Sequence, residues 1–248
     1  MMILTSKNNP FVKSVVALKE KKGRKEQGLF LIEGKKMTQE ALKSKLTVRK
    51  VIVAEGENAE FSGVETVCVS QEVFRHISDE KTPQGVLCLA EIPQKRVEPP
   101  KGKCLLLDGV SDPGNMGAIL RTANACGYGE VYLSSDCVDP YSPKAVRASM
   151  SGLFFTDIYI GEQEEILSVL ESTPIYVADF GGENVFKVEP AEKFVLALGN
   201  EANGVSAAVR SAASKTVTIP MQSTQESLNV AVAAGVCMYL LNGKELSK

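Results

Sequence analysis

Ser227 and Asn229 stand where polar residues are least expected, at the head of a segment from Leu228 to Leu241 that is apolar almost all round. A helix of that composition is a buried one, so the two residues either cap it or belong to a site. They follow a strand-like Thr218-Ile219-Pro220-Met221 and a polar loop. Two earlier segments share this strand–loop–helix form. In Leu107-Asp108-Gly109-Val110-Ser111-Asp112-Pro113-Gly114-Asn115-Met116-Gly117 a Pro-Gly turn delivers Asn115 to the start of a helix. The buried stripe of that helix is Met116, Ile119, Leu120 and Ala123, and Arg121 lies off it. Spacing alone makes Asn115 a helix cap and Arg121 a surface arginine. The other segment is Leu198-Gly199-Asn200-Glu201-Ala202-Asn203-Gly204-Val205-Ser206.

The chemistry open to these segments is narrowed by what they lack. Gly199 and Gly204 have the spacing of a phosphate-binding loop, but Val205 stands where the lysine should be. Glu201 also sets a carboxylate among amides that would have to hold phosphate. Two glycines and an acid suit a neutral or cationic ligand approached by backbone. No GxGxxG follows a strand, so the dinucleotide fingerprint is absent. No GxSxG exists, and His76 is the only histidine, which leaves a Ser-His-Asp hydrolase without a ready general base. The six cysteines, Cys68, Cys88, Cys104, Cys126, Cys137 and Cys237, form no CxxC pair. Four lie in apolar runs, where a buried free thiol in a reducing cytoplasm is the expectation. Without clustered ligands, no metal is expected.

Ligands of parallel α/β sheets bind beyond the carboxyl ends of strands, so the elements around these loops decide whether they meet. Strands read at 104–109, 130–135, 154–160, 174–179, 194–199 and 216–220. Helices read at 115–126, 142–150, 163–171, 204–213 and 227–241. The first and fifth strands are unbroken apolar runs, as expected of strands buried on both faces of a parallel sheet. This is a three-layer α/β unit covering 104–248. Before it, helices at 8–22, 36–46 and 72–77 alternate with strands at 28–34, 48–54, 64–69 and 85–92, an α/β layered domain over 1–92. A Pro-rich charged linker, 93–103, separates the two.

Composition adds an electrostatic clue. The chain of 248 residues has a net charge of −2, yet residues 1–50 carry 13 Lys/Arg against 4 Asp/Glu. A basic segment on an otherwise acidic chain is the footprint of a polyanion-binding module; the bland alternative is a solvated helix face. No apolar run approaches the ~20 residues of a membrane span and no signal-peptide pattern opens the chain, so a cytoplasmic location without membrane contact is expected.

Together the three segments resemble the motifs of the SpoU-type (TrmH/RlmB-like) RNA ribose 2′-O-methyltransferases of the SPOUT class. Asp112-Pro113-Gly114-Asn115-Met116-Gly117 with Arg121-Thr122-Ala123 is similar to the first motif. Gly199-Asn200-Glu201-Ala202-Asn203-Gly204 is similar to the second, and Ile219-Pro220-Met221 with Ser227-Leu228-Asn229-Val230-Ala231 to the third. Leu29-Phe30-Leu31-Ile32-Glu33-Gly34 and Thr82-Pro83-Gln84-Gly85 resemble the family's substrate-binding domain, itself like small ribosomal RNA-binding proteins. The resemblance implies a trefoil knot in the C-terminal domain, a homodimer, and RNA as substrate, rRNA before tRNA. It also implies S-adenosylmethionine as cofactor, with an adenine slot from Leu198, Gly199, Asn200, Gly204, Ile219, Met221 and Leu228. Arg121 would act at the ribose 2′-hydroxyl, as general base or as a charge and phosphate clamp; a guanidinium gives up its proton reluctantly, so the clamp asks less of it. Asn115, Glu201, Ser227 and Asn229 would orient it, the ribose and the last helix. The competing reading is an inactive RNA-binding module of the same fold.

Overall fold

The computed structural model describes residues 2–224 and 226–242, and its first 91 residues build a mixed five-stranded sheet. The elements are β1 (Ile3–Leu4), α1 (Pro10–Ala17), α2 (Lys21–Gln27), β2 (Leu29–Glu33), α3 (Lys35–Lys43), β3 (Val48–Ala54), β4 (Glu65–Val69), α4 (Gln71–Ile77) and β5 (Val86–Glu91). The strand order is β1-β4-β3-β5-β2, with β5 antiparallel to both neighbours.

The single helix expected over 8–22 is two. Asn9 caps α1 by accepting from the Phe11 amide, and Pro10 occupies its first turn. The chain then tightens through i to i−3 bonds at Leu18, Lys19 and Glu20 before α2 begins. A Cβ on Gly23 would lie 2.0 Å from the Ala17 carbonyl oxygen, so α2 folds back onto α1 where only glycine fits. Arg24, one of the charges of the basic 1–50 segment, is buried rather than free to meet a polyanion. Its Nη1 donates to the carbonyls of Leu18 and Lys19 at 2.8 Å each, closing the end of α1.

The second sheet comprises β6 (Cys104–Asp108), β7 (Glu130–Ser134), β8 (Asp157–Gly161), β9 (Ile175–Asn184), β10 (Val195–Gly199) and β11 (Lys215–Thr218), all parallel, in the order β11-β9-β10-β6-β7-β8. Its helices are α5 (Pro113–Ala125), α6 (Pro143–Ser149), α7 (Gly152–Phe155), α8 (Gln163–Leu170), α9 (Ala207–Ser211) and α10 (Val230–Asn242), with a 3-10 turn at Val185–Lys187. Every residue of β6 and β10 is buried, as their apolar runs require. Two expectations need correction. The strand expected over 154–160 starts only at Asp157, because Leu153 and Phe154 are buried from a helical turn; an apolar run this short has no period to separate the two. The last helix is not buried all round: Val232, Tyr239 and Leu240 are exposed.

The 93–103 segment is no free tether. Tyr132 and Tyr159 donate their hydroxyls to the Glu98 carbonyl and carboxylate, and the Lys101 amide donates to Glu130. The two sheets also share one apolar core, with Phe30 tilted against Tyr141 at 5.0 Å between ring centres. Asp139 takes two donors from the Arg24 guanidinium, at 2.8 and 2.6 Å. Lys45 and Lys95 converge on Asp157, and Arg147 reaches Asp79. No helix among the described residues is long and apolar enough to cross a membrane.

Removing one partner of a buried ion pair strands the other charge, at a cost of about 3–5 kcal/mol. Arg24→Ala should therefore lower unfolding free energy by about that amount in urea titrations, and Arg24→Ala with Asp139→Ala should cost well under the sum of the two single changes. A loss below about 1 kcal/mol for Arg24→Ala would mean the pair is solvated.

Candidate active site

β10 lies against β6 in the register that sets Gly199 opposite Asp108, so the loops following both strands leave the sheet side by side. Their first turns are locked together. Asp108 is buried and accepts from the Ser206 amide at 2.6 Å and the Gln163 side chain at 2.8 Å, while Asn200 donates to the Gly109 carbonyl at 2.8 Å. Gly109 and Gly204 take φ of +73° and +69°, values that glycine adopts without strain. A Cβ on Gly199 would fall 2.0 Å from the Gly204 carbonyl carbon, so this loop, closed by paired hydrogen bonds between Asn200 and Gly204 at 2.9 Å each, turns back on itself at a distance no side chain permits.

Glu201 is the meeting point. One carboxylate oxygen accepts from the Ser111 amide and hydroxyl at 3.1 and 2.8 Å; the other accepts from the Asp112 amide at 3.1 Å and Asn115 Nδ2 at 3.0 Å. Burial pushes the Glu201 carboxyl up, but the donors of Asn115, Ser111 and the backbone outweigh it and bring it down to about 2. With its lone pairs filled and its charge held, Glu201 is no proton acceptor at neutral pH; it fixes the loops around it.

The chain of amides continues. Asn229 Nδ2 donates to Asn115 Oδ1 at 2.9 Å, and Asn229 Oδ1 accepts from the amides of Ala231 and Val232. The direction is forced: a carboxylate at one end only accepts, and backbone N–H groups at the other only donate. Asn229 is thus both a cap and a site residue. Asn115 is not the cap its spacing suggested. Asp112 caps α5, accepting from the Asn115 amide at 2.9 Å, with Pro113 inside the first turn.

Between these loops lies a cleft of about 560 Å³, within the size range of small-molecule sites. Leu198, Gly199, Asn200, Glu201, Gly204, Ile219, Met221, Ser227, Leu228 and Asn229 line it; Asn115 reaches it through Glu201 and Asn229. Leu198, Ile219, Met221 and Leu228, with Val217, Val230 and Ala233, supply an apolar slot for a flat ring, and the carboxylates suit a sulfonium charge. The residues present therefore fit S-adenosylmethionine. Arg121 is not part of the lining. It is exposed on α5, six residues beyond Asn115 and so about 120° around the helix, and makes no side-chain hydrogen bond or ion pair among the described residues. A bulged stretch of β9, missed in the sequence, completes the wall: Ala178, Asp179 and Phe180, where the β9–β11 ladder shifts register, together with Arg210. The end of the strand read at 174–179 was the signal for it. Among the described residues no cluster of three potential metal ligands occurs.

A parallel α/β domain whose strand-end loops close on such a cleft defines a nucleoside-cofactor enzyme without a phosphate-binding loop. The chain belongs to the SpoU rRNA Methylase family, which it matches over residues 102–239, and residues 9–88 match the MRM3-like substrate binding domain. Its activity is S-adenosylmethionine-dependent methylation of a ribose 2′-hydroxyl in RNA. It is 30% identical to the 23S rRNA (guanosine(2553)-2′-O)-methyltransferase RlmP of Bacillus subtilis, over 98% of this chain and 100% of that protein. An AdoMet-bound rRNA methyltransferase from Sinorhizobium meliloti superposes with a TM-score of 0.90 at 27% identity, covering 99% of both chains. The AdoMet complex of AviRb from Streptomyces viridochromogenes gives 0.87 at 25% identity, over 97% of this chain and 99% of that one.

Glu201 has a folded pKa below its unfolded value, so its contribution to stability is present above about pH 4.5 and is lost as pH falls toward 2. Because the residue is largely exposed, screening reduces that contribution to on the order of 1 kcal/mol. Urea titrations at pH 6 and pH 3 should show the acid loss shrinking by about this amount in Glu201→Gln; an unchanged pH dependence would show that the network does not hold the carboxylate ionised.

Proposed function

We propose that this chain methylates ribosomal RNA as a cytoplasmic homodimer, with residues 1–92 as the RNA-gripping module, 93–103 as its strap and 104–248 as the methyltransferase domain, of which residues 243–248 lie outside the described residues. The observation that carries the reading is the hydrogen-bonded chain Glu201–Asn115–Asn229, which draws all three motif loops around one cleft. Intact motifs speak against the inactive module. The family implies a threaded, knotted path for this domain, an exception to the rule against knots, and Val217, Thr218, Ile219 and Met221 line the same cleft as Glu226 to Val230 and the loop after β10.

The basic segment works through fewer free charges than its composition suggests. Arg24 is buried in an ion pair, and Lys7, Lys22, Lys35, Lys43, Lys45, Arg49 and Lys50 each face a carboxylate. Among the described residues Lys13, Lys19, Lys21, Lys25 and Lys36 face no carboxylate, Lys19 donating instead to the carbonyls of His76 and Ser78. Exposed pairs are worth ~0–1 kcal/mol, so several can be exchanged for RNA phosphates, with the salt dependence that counterion release brings.

When bound, S-adenosylmethionine supplies an electrophilic methyl group. The protein's part is positioning and electrostatics. The slot and the 199–204 loop orient the methyl, and Ser227 and Asn229 edge the path by which the ribose enters. Glu201, already saturated, takes no proton. Arg121 supplies positive charge where the 2′-oxygen, as it takes the methyl group, gives up its proton to solvent. Its distance from the cleft of its own chain points to the dimer: Thr122 packs on α10 beside Gly235, next to the exposed Val232 and Tyr239, and a second copy covering that face would bring Arg121 to the cleft of its partner.

Arg121→Ala should fold and bind cofactor nearly as the parent does, yet lose methyl transfer by on the order of 10²–10⁴-fold. Mixed dimers of Arg121→Ala with Leu228→Trp, which fills the slot, should recover about a quarter of parental turnover, since random mixing gives half heterodimers with one complete site each. Mixtures as inactive as their components would place Arg121 at its own cleft. Parental turnover by Arg121→Ala would make it a surface residue.

A further inference from the structure

Four charged side chains line the cleft among the described residues, Asp179, Glu201, Arg210 and Glu226. Arg210 is therefore its one lining cation, and its placement is specific. Asp179 Oδ1 accepts from the Phe180 amide at 2.7 Å, and Oδ2 is paired with the Arg210 guanidinium. The Asp179 side chain is only 14% exposed while that of Arg210 is 51% exposed, so the acid is anchored in the wall and the guanidinium stands at the mouth. Asp179 is held in turn where β9 leaves its ladder: Thr218 Oγ1 donates to the Asp179 carbonyl and accepts from the Gly182 amide. Arg210 Nη2 lies 3.9 Å from where a Cβ of Gly204 would sit, beside the loop that edges the cleft.

The cleft is thus polarised. Leu198, Ile219, Met221 and Leu228 make an apolar slot, and the rim at Asp179 and Arg210 is charged. S-adenosylmethionine is polarised in the same way, with a nucleoside at one end and an α-amino acid at the other. Its single anionic group is the amino-acid carboxylate. A guanidinium presents five donors in a planar fork suited to carboxylates, and one carboxylate oxygen of Asp179 leaves donors of that fork unused. We propose that Arg210, steadied by Asp179, binds the amino-acid carboxylate of S-adenosylmethionine at the rim of the cleft. The inference rests on that cofactor occupying the cleft, and assigns to this chain's own residues the end of the cofactor that backbone loops do not read.

Calorimetry on the full chain without RNA tests it. Parent protein should bind S-adenosylmethionine about tenfold more tightly than decarboxylated S-adenosylmethionine, which keeps the sulfonium and amine; a charge-assisted hydrogen bond at a half-exposed site is worth about one factor of ten. Arg210→Ala should bind the two ligands alike, with affinity for the decarboxylated form unchanged, and Arg210→Lys should retain part of the preference. The carboxylate-free 5′-methylthioadenosine should bind parent and Arg210→Ala equally, which also reports that the variant is folded. If Arg210→Ala loses all three ligands, Arg210→Gln, which keeps most of the side-chain stem, is compared in its place. Equal affinities in the parent, or a preference that survives in Arg210→Ala or Arg210→Gln, would overturn the proposal. Failure of the parent to bind any of the three would instead overturn the cofactor reading.

Discussion

One carboxylate organises the functional end of this molecule. Glu201 leaves β10 one strand away from β6, and the loop after β6 turns two backbone amides, a hydroxyl and an asparagine amide toward it. A charge so surrounded is cheap to hold ionised and costly to leave without its donors. The arrangement extends through Asn115 to Asn229 and so to the first turn of α10. Three segments, with Asn115 bonded to partners 86 and 114 positions away, are fixed by a directional chain that runs from an obligate acceptor to obligate donors. The cleft exists because those loops cannot move independently.

Rigidity of a second kind comes from the joint between the sheets. Phe30 against Tyr141, Arg24 on Asp139, and two lysines on Asp157 tie the two halves through apolar contact and charge together. Arg24 also closes the end of α1, so one buried guanidinium serves helix and joint at once. The consequence for function is geometric. Under the proposed domain roles, RNA held by the first sheet would meet the cleft of the second at a set distance, because the segment between them is strapped to Tyr132, Tyr159 and Glu130 rather than free to swing.

Charge within the cleft follows from its chemistry. Carboxylates outnumber cations in the lining, which favours a sulfonium-bearing ligand, while the carboxylate nearest the motif loops is kept out of proton transfer by its own hydrogen bonds. That leaves positioning and positive charge as the protein's contributions to methyl transfer. Arg121, proposed above to supply that charge, is exposed on α5 outside the cleft of its own chain.

The sequence by itself determined the strand-end loops, the buried β6 and β10, and the residues whose types do not suit their surroundings, because apolar runs and glycine spacing are local properties. Met116, Ile119, Leu120 and Ala123 are buried as their period demands. The role of Arg24 was hidden, since a buried charge looks like a solvated one until its partner arrives from more than a hundred residues away. Likewise Asp112 rather than Asn115 proved to be the cap, a choice between neighbours that only hydrogen-bond geometry makes. The wall formed by Asp179, Phe180 and Arg210 arises where a register shift meets a short helix, and no spacing rule joins them. Which loops share a cleft, and which charged side chains enter it, is a matter of long-range pairing and burial, and those were settled only when the sheets came together.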